Sequence, residues 1–195
     1  MLLRSGCDVL KIDLRNYTEL RGSLSKGFLE LPKLEFLNLK GTKVSGDLAV
    51  LANCKALIGL DLSETKIMGD LNALENGVDL EYLRLSQTEV TGDLEVLKHA
   101  TKLRHIYLSD TKVKGNIESF QELPWLRSLH LENTSVSGDM SSLRELKGLD
   151  DVDISGTKIS GARCFCAGGE SGLTQSLADQ VGVSGLSSRF LSHRR

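Results

Sequence analysis

The chain has 195 residues, a length that suits one domain with a substantial core. Hydrophobic residues make up 40% of it and charged residues 26%, values typical of a globular protein. The formal net charge of −2 gives no overall attraction to nucleic acid, and no apolar stretch is long enough to predict a membrane span. The amino-terminal residues lack an apolar segment of signal-peptide length, which favours a cytoplasmic location.

The first predicted element is a strand that contains Val9, Ile12 and Leu14, and it belongs to an opening repeat with some extra residues. A regular period of 23 residues then begins, marked by leucines at Leu34, Leu57, Leu80, Leu103, Leu126 and Leu149. A period of this length indicates a solenoid, because a unit so short cannot bury its apolar side without stacked neighbours.

Each repeat begins with a predicted strand. Leu60 and Leu62, for example, alternate with Gly59, Asp61 and Ser63, which is the period of two that strands show. One strand per repeat, always in the same direction, predicts a parallel sheet. The leucines are expected to point into the core and the alternating residues to line an exposed face.

The middle of each repeat is predicted to turn the chain back. It contains a threonine column, a column of buried Val or Ile, and a glycine column, since glycine adopts turns that other residues resist. The threonines are Thr42, Thr65, Thr88, Thr111, Thr134 and Thr157, and the glycines are Gly46, Gly69, Gly92, Gly115, Gly138 and Gly161.

The end of each repeat predicts a short helical turn. Apolar residues stand three apart, as in Leu71 and Leu74, directly after Asp70. Asp or Asn at this position is typical of a helix N-cap, whose side chain accepts free backbone N–H groups. A stacked acid column that binds a cation is the alternative. The capping interpretation is favoured because it also explains Asn116.

The repeated pattern L-x-x-L-x-L resembles that of leucine-rich repeat proteins, and "TKVSGDL" after the strand resembles their plant-type subclass. The resemblance covers roughly residues 8–161, with Thr in place of the Asn that usually forms a ladder of bonds to turn backbone. It implies an α/β solenoid, a right-handed coil with a concave parallel β-sheet and short convex helical turns. Residues 1–162 would then form about seven repeats.

The remaining residues, 163–195, are rich in Gly and Ser and carry no repeat, so a disordered tail is predicted. Cys164 and Cys166 in this tail form one C-x-C without partners that would complete a metal site. Cys54 replaces a small or apolar residue of the repeat and is interpreted as part of the core.

No catalytic or nucleotide-binding motif is present, so neither an enzyme nor a cofactor is predicted. His105 and His130 fall on adjacent predicted strands, and a substrate-sized pocket beside them would favour the enzyme alternative. The resemblance instead implies a non-catalytic module that recognises a protein partner. A fragment of a receptor-like protein or receptor kinase ectodomain is the second alternative.

The candidate site lies on the exposed side of the predicted sheet. A cluster on three consecutive strands is rich in Tyr and Arg, the residue types enriched at binding hot spots, and two acidic residues flank it. The cluster consists of Tyr82, Arg84, His105, Tyr107 and His130, and the flanking residues are Asp151 and Asp153. The alternative is that these side chains only cover a sheet.

Overall fold

The computed structural model describes residues 9–15, 17–25 and 31–161. The predicted tail, with Cys164 and Cys166, lies outside the described residues, so the boundary at residue 162 stays a prediction. In the part of the chain that is described, no helix is long and apolar enough to cross a membrane.

The first strands of the repeats form a seven-stranded parallel sheet, here called the front sheet. Its strands are β1 (Lys11–Asp13), β3 (Phe36–Asn38), β5 (Gly59–Asp61), β7 (Tyr82–Arg84), β9 (His105–Tyr107), β11 (Ser128–His130) and β13 (Asp151–Asp153). They pair in chain order and in register, so that Leu60 lies between Leu37 and Leu83. The predicted solenoid with a parallel sheet is confirmed.

The structure also contains a second strand in every repeat, which the sequence interpretation missed. These strands form a seven-stranded parallel back sheet. Its strands are β2 (Arg21–Ser23), β4 (Lys43–Asp47), β6 (Lys66–Asp70), β8 (Glu89–Asp93), β10 (Lys112–Asn116), β12 (Ser135–Asp139) and β14 (Lys158–Ser160). The prediction of one strand per repeat is wrong because the turn segment itself alternates: Val113 is buried between exposed Lys112 and Lys114.

The predicted helical turns are 3₁₀ helices in the structure. Those described are Leu48–Leu51, Leu71–Leu74, Leu94–His99, Ile117–Phe120 and Met140–Leu143. The predicted N-caps are confirmed: Asp70 Oδ1 accepts from the Asn72 N–H at 2.8 Å. Asn116 Oδ1 accepts from the Glu118 N–H at 2.9 Å, so the cap needs only a side-chain oxygen and not a charge.

The core lies between the two sheets and runs through all the stacked repeats. Leu62, Leu85 and Leu108, which occupy one column, are each 0% exposed. The helical column that contains Leu94 and Ile117 is equally buried. Cys54 belongs to the same core, as predicted, and its burial raises the pKa of the thiol.

The threonine hydroxyls bond within their own repeats. Thr88 Oγ1, for example, donates to the Leu85 carbonyl at 2.6 Å, and the other described column members make the same bond. Backbone groups connect the repeats at this level instead, as where the Gln87 N–H donates to the Ser109 carbonyl at 2.9 Å. The hydroxyl therefore holds the end of each front strand and does not itself form a ladder.

The residue before each threonine adopts a left-handed backbone. Four of these residues are not glycine, with φ between 55° and 58°: Glu64, Gln87, Asp110 and Asn133. Gly41 and Gly156 occupy the same column with φ of 69° and 68°. Non-glycine residues pay a steric cost in this region, and Gln has no compensating side-chain preference for it.

Replacing Gln87 with glycine is therefore expected to stabilise the fold. The released strain of about 1–2 kcal/mol offsets the added chain entropy of about 0.5–1 kcal/mol, which leaves a net gain of up to about 1.5 kcal/mol. Urea denaturation of the Gln87→Gly variant measures it. Lys114→Gly, in an exposed strand position without positive φ, is the control and should lose stability. Equal losses in both variants would contradict the strain argument.

Candidate functional site

The front sheet aligns its outward side chains in rows that cross the strands. One row contains Lys11, Phe36, Gly59, Tyr82, His105, Ser128 and Asp151. The next contains Asp13, Asn38, Asp61, Arg84, Tyr107, His130 and Asp153. Tyr82, Arg84, His105, Tyr107 and His130, here called the front cluster, are neighbours in these rows.

Rings of the front cluster stack on one another. Tyr82 and His105 lie 5.2 Å apart, centroid to centroid, with 9° between their planes. Tyr107 lies 6.5 Å from His105 at 13° and 4.6 Å from His130 at 46°. These separations are those of favourable aromatic contacts, so a continuous row of ring contacts, two stacked pairs and one tilted pair, crosses β7, β9 and β11.

Arg84 joins the stack from its edge. Its Cζ lies 5.0 Å from the centre of the Tyr107 ring, within the range of a cation–π contact. Arg84 Nη1 is 4.0 Å from Asp61 Oδ2, an ion contact that is too long for a hydrogen bond. The guanidinium therefore leans over the tyrosine, and its side chain remains 44% exposed.

The surroundings of His105 favour its neutral form. Partial burial lowers the pKa of the imidazole, and the positive charges of Arg84, Arg127 and Arg104 lower it further. Its Nδ1 lies 3.0 Å from Ser128 Oγ, so a hydrogen bond fixes the ring against the next strand. A neutral ring fits a stack between two tyrosines without bringing in another charge.

His130 faces the acidic end of the front sheet. Its Nε2 is 2.9 Å from Asp151 Oδ1, and its Nδ1 is 3.8 Å from Glu132 Oε2. The two predicted flanking residues, Asp151 and Asp153, differ in how much of each side chain is exposed to solvent. The Asp151 side chain is 54% exposed, whereas Asp153 is half-buried and accepts from Ser155 Oγ at 2.8 Å. Asp151 is thus the accessible carboxylate of the pair.

Several small residues that were predicted to be exposed on this face are buried in the structure. They are Gly59, Asp61, Ser63, Ser109 and Ser128. The prediction failed because large neighbours cover short side chains: the Phe36 ring edge takes the space beside Gly59 in which a Cβ would lie, 2.8 Å from Phe36 Cδ1. The alternation of residues along a strand predicts the face on which a side chain lies, but not whether larger neighbours cover it.

A hollow of about 300 Å³ lies on the front sheet beside Gly59. Its lining includes Phe36, Asp61, Tyr82 and Arg84. Of these, only Tyr82 and Arg84 were among the candidate residues predicted from the sequence. A second hollow, between Asp61 and Tyr107, has a similar volume of about 300 Å³. Neither of these two hollows is lined by His105 or His130, the pair on which the enzyme alternative depended.

Solved structures with this architecture are leucine-rich repeat domains. The chain is similar to the LRR ectodomain of the plant membrane receptor kinase GASSHO1/SCHENGEN3 from Arabidopsis thaliana, in complex with CASPARIAN STRIP INTEGRITY FACTOR 2. The TM-score is 0.66 and the identity 30%, over 72% of this chain and 18% of that one. The ectodomain of the Arabidopsis receptor kinase HAESA, with an N-terminally extended IDA peptide hormone, gives a TM-score of 0.67 and 28% identity over 72% and 25% of the two chains.

A bacterial protein has the same fold. Internalin C2 from Listeria monocytogenes matches with a TM-score of 0.59 and 27% identity, over 68% of this chain and 56% of that one. The chain thus spans only part of each of these three proteins. No protein-family model and no curated protein matches it. By its repeat, its two parallel sheets and these likenesses, the chain has the leucine-rich repeat fold.

Proposed function

We propose that the front cluster is the centre of a protein-binding face and that the chain acts as a non-catalytic recognition module. The observation that carries this proposal is the preformed row of ring contacts that joins Tyr82, His105, Tyr107 and His130 across three strands. Rings that are already packed against one another lose little side-chain freedom when a partner binds, so more of the contact energy appears as affinity.

The exposure of the front cluster suits a binding centre. Tyr82 is 36% exposed, and it presents a ring with a hydroxyl that can remain hydrogen-bonded at an interface. Arg84 is partly exposed beside it, and Tyr and Arg are among the residues most enriched at hot spots. The leucine between them on the same strand, Leu83, is buried at 0% exposure and packs into the core beneath this face.

The charges around the front cluster favour one orientation of the partner. Asp151 and Glu132 lie at the end of the face near His130, and their side chains are 54% and 30% exposed. A partner with a basic rim on that side would be steered into register, an effect that acts on specificity and association rate more than on affinity.

A segment of a receptor ectodomain that recognises a peptide is the second candidate function. The structures of GASSHO1/SCHENGEN3 and HAESA favour it, because each is a receptor kinase ectodomain in complex with a ligand, and for HAESA that ligand is a peptide hormone. Since the chain covers 18% and 25% of those ectodomains, the genomic reading frame on either side of it discriminates between the two candidates.

Replacing Tyr82 and Tyr107 together with alanine tests the binding face. We expect binding of the partner, recovered by affinity purification and identified by mass spectrometry, to weaken by at least about 2 kcal/mol, or some thirtyfold. Calorimetric titration measures the affinity, and circular dichroism checks that the fold is retained.

The control for this experiment lies on the 3₁₀ helix Leu94–His99, away from the front sheet. Glu95 and Lys98 form an exposed ion pair there, with 2.7 Å between Lys98 Nζ and Glu95 Oε1. Their double alanine variant should bind normally, since such pairs contribute little. If this variant lost the partner while the tyrosine variant kept it, the proposed face would be wrong.

A further inference from the structure

Gly59 interrupts the row of side chains that the front cluster continues. In this row the ring of Tyr82 is stacked on His105 on one side, and its opposite face is turned toward β5, where Gly59 offers no side chain. Phe36 on β3 borders the same place from the other side. The edge of the Phe36 ring leans over Gly59, and the hollow is bordered by this edge and by Tyr82.

A buried carboxylate lies at the base of this hollow. Asp61 is 8% exposed and lines the hollow together with Phe36, Gly59 and Tyr82. Its Oδ1 accepts from the Ser63 N–H at 3.1 Å. The nearest cation to Oδ2 among the described residues is Arg84, at 4.0 Å, which is beyond hydrogen-bond range.

The Asp61 carboxylate can accept more hydrogen bonds than the surrounding residues donate to it. Removing a charge from water costs free energy unless hydrogen bonds and an opposite charge replace the water. One oxygen of Asp61 has its backbone donor, and the other has only the Arg84 guanidinium at 4.0 Å, which already lies over Tyr107. A hydrogen-bond donor that enters the hollow would give the second oxygen of Asp61 a partner.

We propose that the hollow beside Gly59 is a subsite for an arginine side chain of the bound partner; the source of that arginine rests on the function proposed above. A guanidinium combines the properties that the hollow demands. It is planar and stacks on aromatic faces such as that of Tyr82. It also donates two parallel hydrogen bonds to one carboxylate, here that of Asp61.

The positively charged residues around the hollow affect whether an arginine or a lysine side chain binds there better. Arg15 Nε is 3.6 Å from Asp13 Oδ1, so that charge is partly matched, and Arg84 is drawn toward Tyr107. Lys11, on the outer strand β1, also lines the hollow and repels a further positive charge that enters it. A guanidinium is less strongly hydrated than an ammonium and forms bidentate bonds, so the subsite favours arginine over lysine.

Nuclear magnetic resonance of the whole chain tests this subsite without any protein partner. The probes are N-acetyl-arginine methylamide and its citrulline counterpart, which has nearly the same shape and no charge. We expect the arginine probe to shift the amide signals of Gly59, Asp61 and Tyr82 in a saturable way. The citrulline probe should bind at least fivefold more weakly. Equal binding of both probes, or shifts centred on Asp151, would overturn the proposal.

Two substitutions and one matched control complete the experiment. Asp61→Asn keeps the oxygen that accepts from Ser63, so it should retain the fold and abolish the preference for arginine over citrulline. Asp153→Asn is the control, because Asp153 accepts from the Ser155 N–H in the same way at 3.0 Å on the distant strand β13. An unchanged preference in Asp61→Asn would refute the subsite.

Filling the hollow gives a second route to the same answer. A Cβ at Gly59 meets only the Phe36 ring edge, a side chain that can shift, and Gly59→Val should therefore block both probes. If Gly59→Val does not fold, the Asp61→Asn comparison still decides. Failure of the subsite leaves the double tyrosine experiment unaffected, because that experiment measures the whole partner and this one measures only the hollow.

Discussion

Replacing Leu85 with alanine is expected to lower the free energy of unfolding by about 2–5 kcal/mol, the range for truncating a buried leucine. Leu85 is 0% exposed and follows the front strand β7, between the equivalent Leu62 and Leu108 of the adjacent repeats. A void at this position weakens the contacts of one repeat with both neighbours, so a loss toward the upper end of the range is expected. Chemical denaturation followed by circular dichroism measures it.

Lys114→Ala is the control for this measurement, because Lys114 is exposed on the back strand β10. An exposed substitution of this kind changes stability by no more than about 0.5 kcal/mol. If Leu85→Ala cost no more than Lys114→Ala, Leu85 would not lie in the core, and the inward register of the front strands would be refuted.

Replacing Gly115 with alanine is expected to cost about 2–4 kcal/mol. The backbone at Gly115 has φ of +125°, a conformation that costs other residues about 1–3 kcal/mol. The added Cβ would also collide with Asp93 Oδ1 and lie 3.0 Å from the Leu94 nitrogen. Since Asp93 Oδ1 caps the 3₁₀ helix by accepting from Glu95, displacing it removes a further 1 kcal/mol or about that amount.

Gly148→Ala is the matched control, because a Cβ at Gly148 would lie 3.6 Å from the Leu126 carbonyl, an ordinary contact. Gly148 is not among the glycines with positive φ, so its replacement should leave the thermal midpoint almost unchanged. A comparable drop in both variants would mean that an added Cβ is costly at either site, and that the positive φ and close contacts of Gly115 do not control the effect.

Much of the architecture could be predicted because the repeat appears six times with the same spacing. The alternation around Leu60 and Leu62 gave the direction of the front strands, and the Asp or Asn before each helical turn gave the cap. These features depend on local geometry within one repeat, and a short window of sequence contains it.

The back sheet was missed for a physical reason. Its strands contain one buried residue, such as Val113, between polar residues, and a glycine follows two positions later. Taken alone, so short a segment indicates a turn. It becomes a strand only because the same segment of the next repeat pairs with it, as Lys114 does with Ser135.

The placement of the candidate residues on one face could be predicted, but their mutual contacts could not. Alternation was enough to place Tyr82, His105 and Tyr107 on one face. It did not show that Arg84 leans toward Tyr107, nor that Asp153 is drawn to Ser155. Side-chain torsions follow from neighbours one or more repeats away, and those contacts exist only after the coil is assembled.

The pairing of each strand only with its neighbours in adjacent repeats has a mechanical consequence. A chain pulled by its two ends carries the load through successive repeats, because among the described strands none pairs the first repeat with the last. The terminal strands at either end of the solenoid would therefore peel away first, one repeat after another. Each released repeat of 23 residues yields about 75–80 Å of extended chain. The protein would therefore lengthen under tension in regular steps, one repeat at a time.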